Sequence, residues 1–146
     1  MYPEKSGLPA VPVWKIALLR LSYALIAGVM GSIVWYQIIF ESADWPVARG
    51  LAKAMLGSLA LLSLLGIRYP LRMLPVMVFE LVWKTVWIMM IFMPAWMDGR
   101  VTPDQQALFN DCIGILFVYV AMPWRYVWAA YFVQPTEPWK VGASAD

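Results

Sequence analysis

Two opposite charges interrupt an otherwise apolar stretch: Glu80 and Lys84, in Phe79-Glu80-Leu81-Val82-Trp83-Lys84. Their i, i+4 spacing puts both on one face of a helix, within pairing distance. An acid and an amine held this way can relay a proton or hold a charged headgroup or small anion. They can also simply neutralise each other and fix helix register. A charge in bare hydrocarbon costs from about 2.5 to more than 10 kcal/mol, so the pair is expected to face protein or a wet cavity. If this helix enters the bilayer at Leu71 and rises ~1.5 Å per residue, Glu80 lies ~13 Å deep and Lys84 ~20 Å. Those depths predict a polar ladder, Arg20–Glu80–Lys84–Asp111, with Arg20 reaching in from the first helix and Asp111 from the last. Tyr23, Tyr36, Gln37, Thr85 and Asn110 are candidates for added hydrogen bonds. Trp83, Trp87, Tyr23 and Gln37 are candidates for the walls of a pocket.

A second pattern is sulfur. Met89, Met93 and Met97 recur four apart with Met90 beside them, and Cys112 follows in the next helix. Thioether and thiolate ligands suit Cu(I). The competing reading is apolar packing, methionine's ordinary use, and Met73 and Met77 repeat the spacing. The chain has no histidine and one cysteine. That removes His-ligated haem, most zinc sites and the Ser-His and Cys-His nucleophile pairs, so no cofactor is predicted. A third pattern is small residues four apart: Ala24, Gly28 and Ser32, then Gly50, Ala54 and Ser58. Such faces let helices approach closely, within one chain or in a homo-oligomer.

The elements that must position these residues follow from composition. Of 146 residues, 62% are hydrophobic and 14% charged; a soluble domain is nearer half apolar and a quarter charged. The excess must face lipid. At about 20 residues per span, the chain holds four helices and short loops. The expected fold is an all-α membrane protein, a four-helix bundle in a single domain. The helices are expected at 14–40, 47–67, 70–94 and 103–133, with polar tails at 1–13 and 134–146. The uncharged run from Leu21 to Phe40 exceeds the roughly 7–15 residues of a signal-peptide core, and no A-x-A site follows it, so it reads as a retained helix. The second helix spans only if Arg49 and Lys53 snorkel to the interface. Pro75 lies slightly inside the third helix and predicts a bend, as Pro123 does in the fourth. Thr102-Pro103-Asp104-Gln105 reads as a capped helix start. Trp124, Trp128, Tyr131 and Phe132 read as an interfacial aromatic belt.

Four spans place Lys5, Lys15, Arg20, Arg68, Arg72, Arg125 and Lys140 on one side and only Arg49, Lys53 and Arg100 on the other. The positive-inside rule makes the first side cytoplasmic, with both termini there. A net charge of +2 with no basic arm gives no reason to expect nucleic acid.

Gly66-Ile67-Arg68-Tyr69-Pro70-Leu71-Arg72-Met73-Leu74-Pro75, Phe79 to Lys84, and Pro123-Trp124-Arg125-Tyr126-Val127 resemble a family of small four-span bacterial inner-membrane proteins. Leu18-Leu19-Arg20-Leu21 is loosely similar to DoxX-like membrane proteins. The resemblance implies a fold and an inner-membrane location but attaches no activity and no residue roles. A quinone-reducing thiol enzyme would need paired cysteines, which are absent.

The functional expectation is a non-enzymatic inner-membrane protein. It would serve a larger membrane complex as an accessory subunit, or bind and move a small polar or amphiphilic ligand at Glu80/Lys84. The alternatives are a membrane enzyme acting on a lipid or quinone with Glu80 as acid or base, and Cu(I) handling through Met89, Met93 and Met97. Expected partners are membrane lipids, a second copy, or a larger complex.

Overall fold

The computed structural model describes residues 7–134. The expected tails fall mostly outside these residues, as do Lys5 and Lys140. All regular structure among the described residues is helical, with no strand. The helices are α1 (Val13–Asp44), α2 (Val47–Arg68), α3 (Leu74–Met97), α4 (Pro103–Ala121) and α5 (Trp124–Val133). α1, α2 and α3 are each long and apolar enough to cross a membrane. A fourth span arises if α4 and α5 count as one interrupted span. Leu61, Leu62, Leu64, Leu65 and Ile67 of α2 are all exposed. Five exposed apolar side chains within seven residues wrap around most of a helix with 3.6 residues per turn. Water would not tolerate that surface, and lipid does. The chain is a membrane protein.

Residues 12–122 form one compact unit, and residues 7–11 and 123–134 belong to a second. Within the first unit, α1 packs along α2. The first half of α1 also meets residues 115–121 of α4. α3 packs against both α2 and α4. The α1–α2 seam is set by small residues spaced three apart on α2: Gly57, Ala60, Ser63 and Gly66, all buried. Tyr23 of α1 lies flat over Gly66, and a Cβ there would fall inside its ring. The Tyr23 hydroxyl donates to the Pro70 carbonyl at 3.2 Å. Trp35 Nε1 donates to the Gly57 carbonyl at 3.2 Å. The expected faces lie elsewhere: Ala24, Gly28, Ser32, Ala54 and Ser58 are exposed and Gly50 half-buried.

Three local features differ from the sequence expectation, each for a backbone reason. α3 begins at Leu74 rather than at 70, which moves Pro75 into its first turn. There its missing N–H has no partner to lose, so it does not bend the helix. The helix then passes Pro94 and runs on to Met97. Pro94 withdraws one N–H from the ladder, and the preceding turn widens so that the Met93 N–H reaches the Ile88 carbonyl, five residues back. The expected helix 103–133 is two helices. Met122 leaves the helical region with ψ 125°, because a residue before proline is disfavoured there. Lys15 Nζ donates to the Met122 carbonyl at 3.1 Å, satisfying an acceptor exposed by that ending. At its start α4 carries the expected capping box, with Thr102 Oγ1 accepting from Gln105 N–H and Gln105 Oε1 from Thr102 N–H.

In the second unit, α5 exposes Trp124, Trp128, Tyr131 and Phe132 and buries Val127. The Trp128 and Phe132 rings stack 4.7 Å apart.

Candidate functional site

α3 is helical across Leu74–Trp87 because its apolar residues recur at helical spacing, and its inward face is Leu74, Met77, Leu81 and Glu80, all buried. Glu80 is 1% exposed, the one buried ionisable group of that face. Lys84, a turn further on, places Nζ 2.5 Å from Glu80 Oε1, and its side chain is 14% exposed. Trp83 supplies the third contact: its indole N–H donates to Glu80 Oε2 at 2.7 Å. The same indole ring lies 5.5 Å from Lys84 Nζ, a cation–π distance. The cluster is therefore closed within one helical turn. The i, i+4 pair gives the ion contact and the i, i+3 neighbour the hydrogen bond. Oε1 meets the ammonium as an ion contact outside hydrogen-bond geometry and has no hydrogen-bond partner of its own.

The structure brings Glu80, Lys84 and Trp83 together, and the remaining candidates take other places. Arg20 and Asp111 are exposed, and neither forms an ion pair among the described residues, where the pairs are Lys84–Glu80 and Arg100–Asp98. The expected four-membered ladder is thus a two-charge cluster. The physical reason is local: Lys84 neutralises Glu80 from its own helix, so no charge from another helix is needed. Tyr23 is fully buried on the α1–α2 seam. Gln37 is half-buried, with a buried Oε1 that has no hydrogen-bond partner. Trp87 stands 5.8 Å from Phe92, which stacks on Phe109 of α4 at 4.2 Å, an aromatic column joining α3 to α4. Tyr36 contacts Phe40 on an exposed face, and Asn110 accepts from Gln106 on α4.

Thr85 holds α3 to α4. It donates to the Leu81 carbonyl at 2.6 Å, and its oxygen lies 2.8 Å from the Tyr119 hydroxyl. Since the Thr85 proton is committed to the carbonyl, Tyr119 is the donor in that pair. Tyr119 was not anticipated from the sequence, where it reads as one more aromatic in an apolar run. Two further findings had a legible signal: Trp83 is i+3 from Glu80, and Lys15 lies within reach of a helix ending forced by Pro123.

Met89, Met93 and Met97 are exposed, Met97 to 76%, whereas Cys112 is buried. Among the described residues, no three His, Cys, Asp or Glu side chains converge as metal ligands do.

No family model, curated protein or solved structure matches the chain.

Proposed function

We propose that the chain is a four-span integral protein of the bacterial inner membrane, both termini cytoplasmic, serving a larger membrane complex as a non-enzymatic accessory subunit. The observation that carries this reading is the closure of the Glu80–Trp83–Lys84 cluster within α3. A catalytic acid or a proton carrier must exchange its partner during a cycle. Here both carboxylate oxygens are engaged by groups of the same helix, on a face that packs inward. Such a cluster fixes the rotation of α3 about its axis, because turning the helix would carry two charges into hydrocarbon. The extensive apolar surface of α1, α2 and α3 remains available for lipid and for helices of a membrane partner. Within residues 12–122, the side rich in Lys15, Arg20, Arg68 and Arg72 supports the orientation.

A second reading rests on one specific observation. Glu80 Oε1 lacks a hydrogen bond, and Lys84 is not wholly enclosed. A small polar ligand or headgroup would find an acceptor and a cation there, making the cluster a binding or proton-transfer site.

Purification in mild detergent tests the first reading against the second. The first expects another inner-membrane protein in stoichiometric amount with the chain, and liposomes holding the pure chain that keep a pH gradient as long as empty ones. A chain that purifies alone and collapses the gradient, with Glu80→Gln restoring it, would overturn the first reading and establish the second.

A further inference from the structure

The turn between α2 and α3 carries two exposed guanidiniums set against one ring. Arg68 Cζ lies 5.5 Å and Arg72 Cζ 5.8 Å from the Tyr69 centroid. Neither meets a carboxylate among the described residues. Among the described acids, Glu41 and Asp44 close α1 ahead of the far end of α2, and Asp98 and Asp104 lie in the connection after the far end of α3 and the start of α4. Among the described residues the two like charges gathered on one ring have no counter-charge, which a bound anion would supply.

An apolar groove begins just beyond them. α2 and α3 border an open groove of about 500 Å³, lined by Ala54, Ser58 and Leu62 on one side and Pro75, Val76 and Phe79 on the other. Ala54 to Leu62 spans ~12 Å of helix, most of the ~15 Å half-thickness of a hydrocarbon core. Leu62 is six residues, or ~9 Å of helix, from Arg68. Pro75 is three residues from Arg72, so their backbones lie within ~10 Å. The two charges thus stand beyond one end of a groove that covers most of the depth of one leaflet.

We propose that an anionic phospholipid occupies this place, one acyl chain in the groove and its phosphate between Arg68 and Arg72. Guanidinium matches phosphate in charge and in its paired donors. Basic residues at the cytoplasmic ends of helices recognise such headgroups. A second copy of the chain is the competing occupant of the groove, and its binding would not depend on lipid headgroup charge.

The test is native mass spectrometry of the purified chain with added phosphatidylglycerol or phosphatidylcholine. The wild type should retain phosphatidylglycerol in preference. Arg68→Gln with Arg72→Gln should weaken that retention ~25-fold, ~5-fold per charge, down to the level of phosphatidylcholine. Arg68→Lys with Arg72→Lys should keep the preference. Ala54→Phe, which fills the groove, should weaken retention of both lipids; if it misfolds, Ser58→Leu serves the same purpose. Equal retention of the two lipids by the wild type would overturn the proposal. So would phosphatidylglycerol retention untouched by the groove variants. A dimer that phosphatidylglycerol does not dissociate and Ala54→Phe abolishes would assign the groove to a second copy and equally overturn it.

Discussion

Replacing Gly66 by alanine should be the most damaging single-methyl change in the helix seams. The added Cβ falls inside the Tyr23 ring, against Cγ, Cδ1 and Cε1. That ring is fully buried and tethered by its hydroxyl to the Pro70 carbonyl, so it cannot withdraw without breaking the bond. Overpacking costs ~1–3 kcal/mol. A displaced tyrosine leaves a buried carbonyl unpaired for ~1–3 kcal/mol more. The sum is a loss of ~2–6 kcal/mol, or much of the stability of a small domain. Two other glycines serve as controls. At Gly57 the nearest atom to a new Cβ is Ile38 Cδ1 at 3.2 Å, the mobile end of a flexible side chain, so Gly57→Ala should cost under ~1 kcal/mol. At Gly28 nothing lies within 4 Å, and Gly28→Ala should be neutral or stabilise by up to ~1 kcal/mol through helix propensity. Equilibrium unfolding of the purified chain in mixed micelles titrated with denaturing detergent ranks the three. If Gly66→Ala proves as stable as Gly28→Ala, Tyr23 does not pack on Gly66 and α1 and α2 meet along a different seam.

Further expectations concern the ends of the helices. Thr102→Ala removes the capping box of α4 and should lower stability by ~1 kcal/mol, read in the same titration, with Thr102→Ser recovering most of it. In a Cys112→Ser background, a cysteine at Arg68 should react with an impermeant maleimide only after cells are opened, and one at Gly99 should react in intact spheroplasts. The same side for both would refute the crossing of α3.

The membrane character, the capped start of α4 and the pairing of Glu80 with Lys84 were legible in the sequence. Each depends on spacing within one element. What was not legible depends on how elements meet. Spacing four drew attention to Ala24, Gly28 and Ser32, while the helices close along Gly57, Ala60, Ser63 and Gly66 at spacing three. Both stripes are made of small residues, and only the neighbouring helix, through Tyr23 and Trp35, selects one. The reach of Arg20 and Asp111 toward the pair was inferred from depth alone. Depth cannot report on which face a side chain lies, and both turn outward. Depth and a spacing of four from Trp87 make Trp83 a candidate pocket wall, whereas its N–H, three residues from Glu80, decides its role.

The decisive experiment is a double-mutant cycle on Glu80 and Lys84. If the pair is internal and self-neutralising, Glu80→Gln strands an ammonium and Lys84→Met strands a carboxylate, each losing ~3–5 kcal/mol. The double variant should return most of that loss, with a coupling of at least ~2 kcal/mol. Single changes that leave stability untouched, or losses that simply add, would show that the two charges do not sustain each other inside the protein.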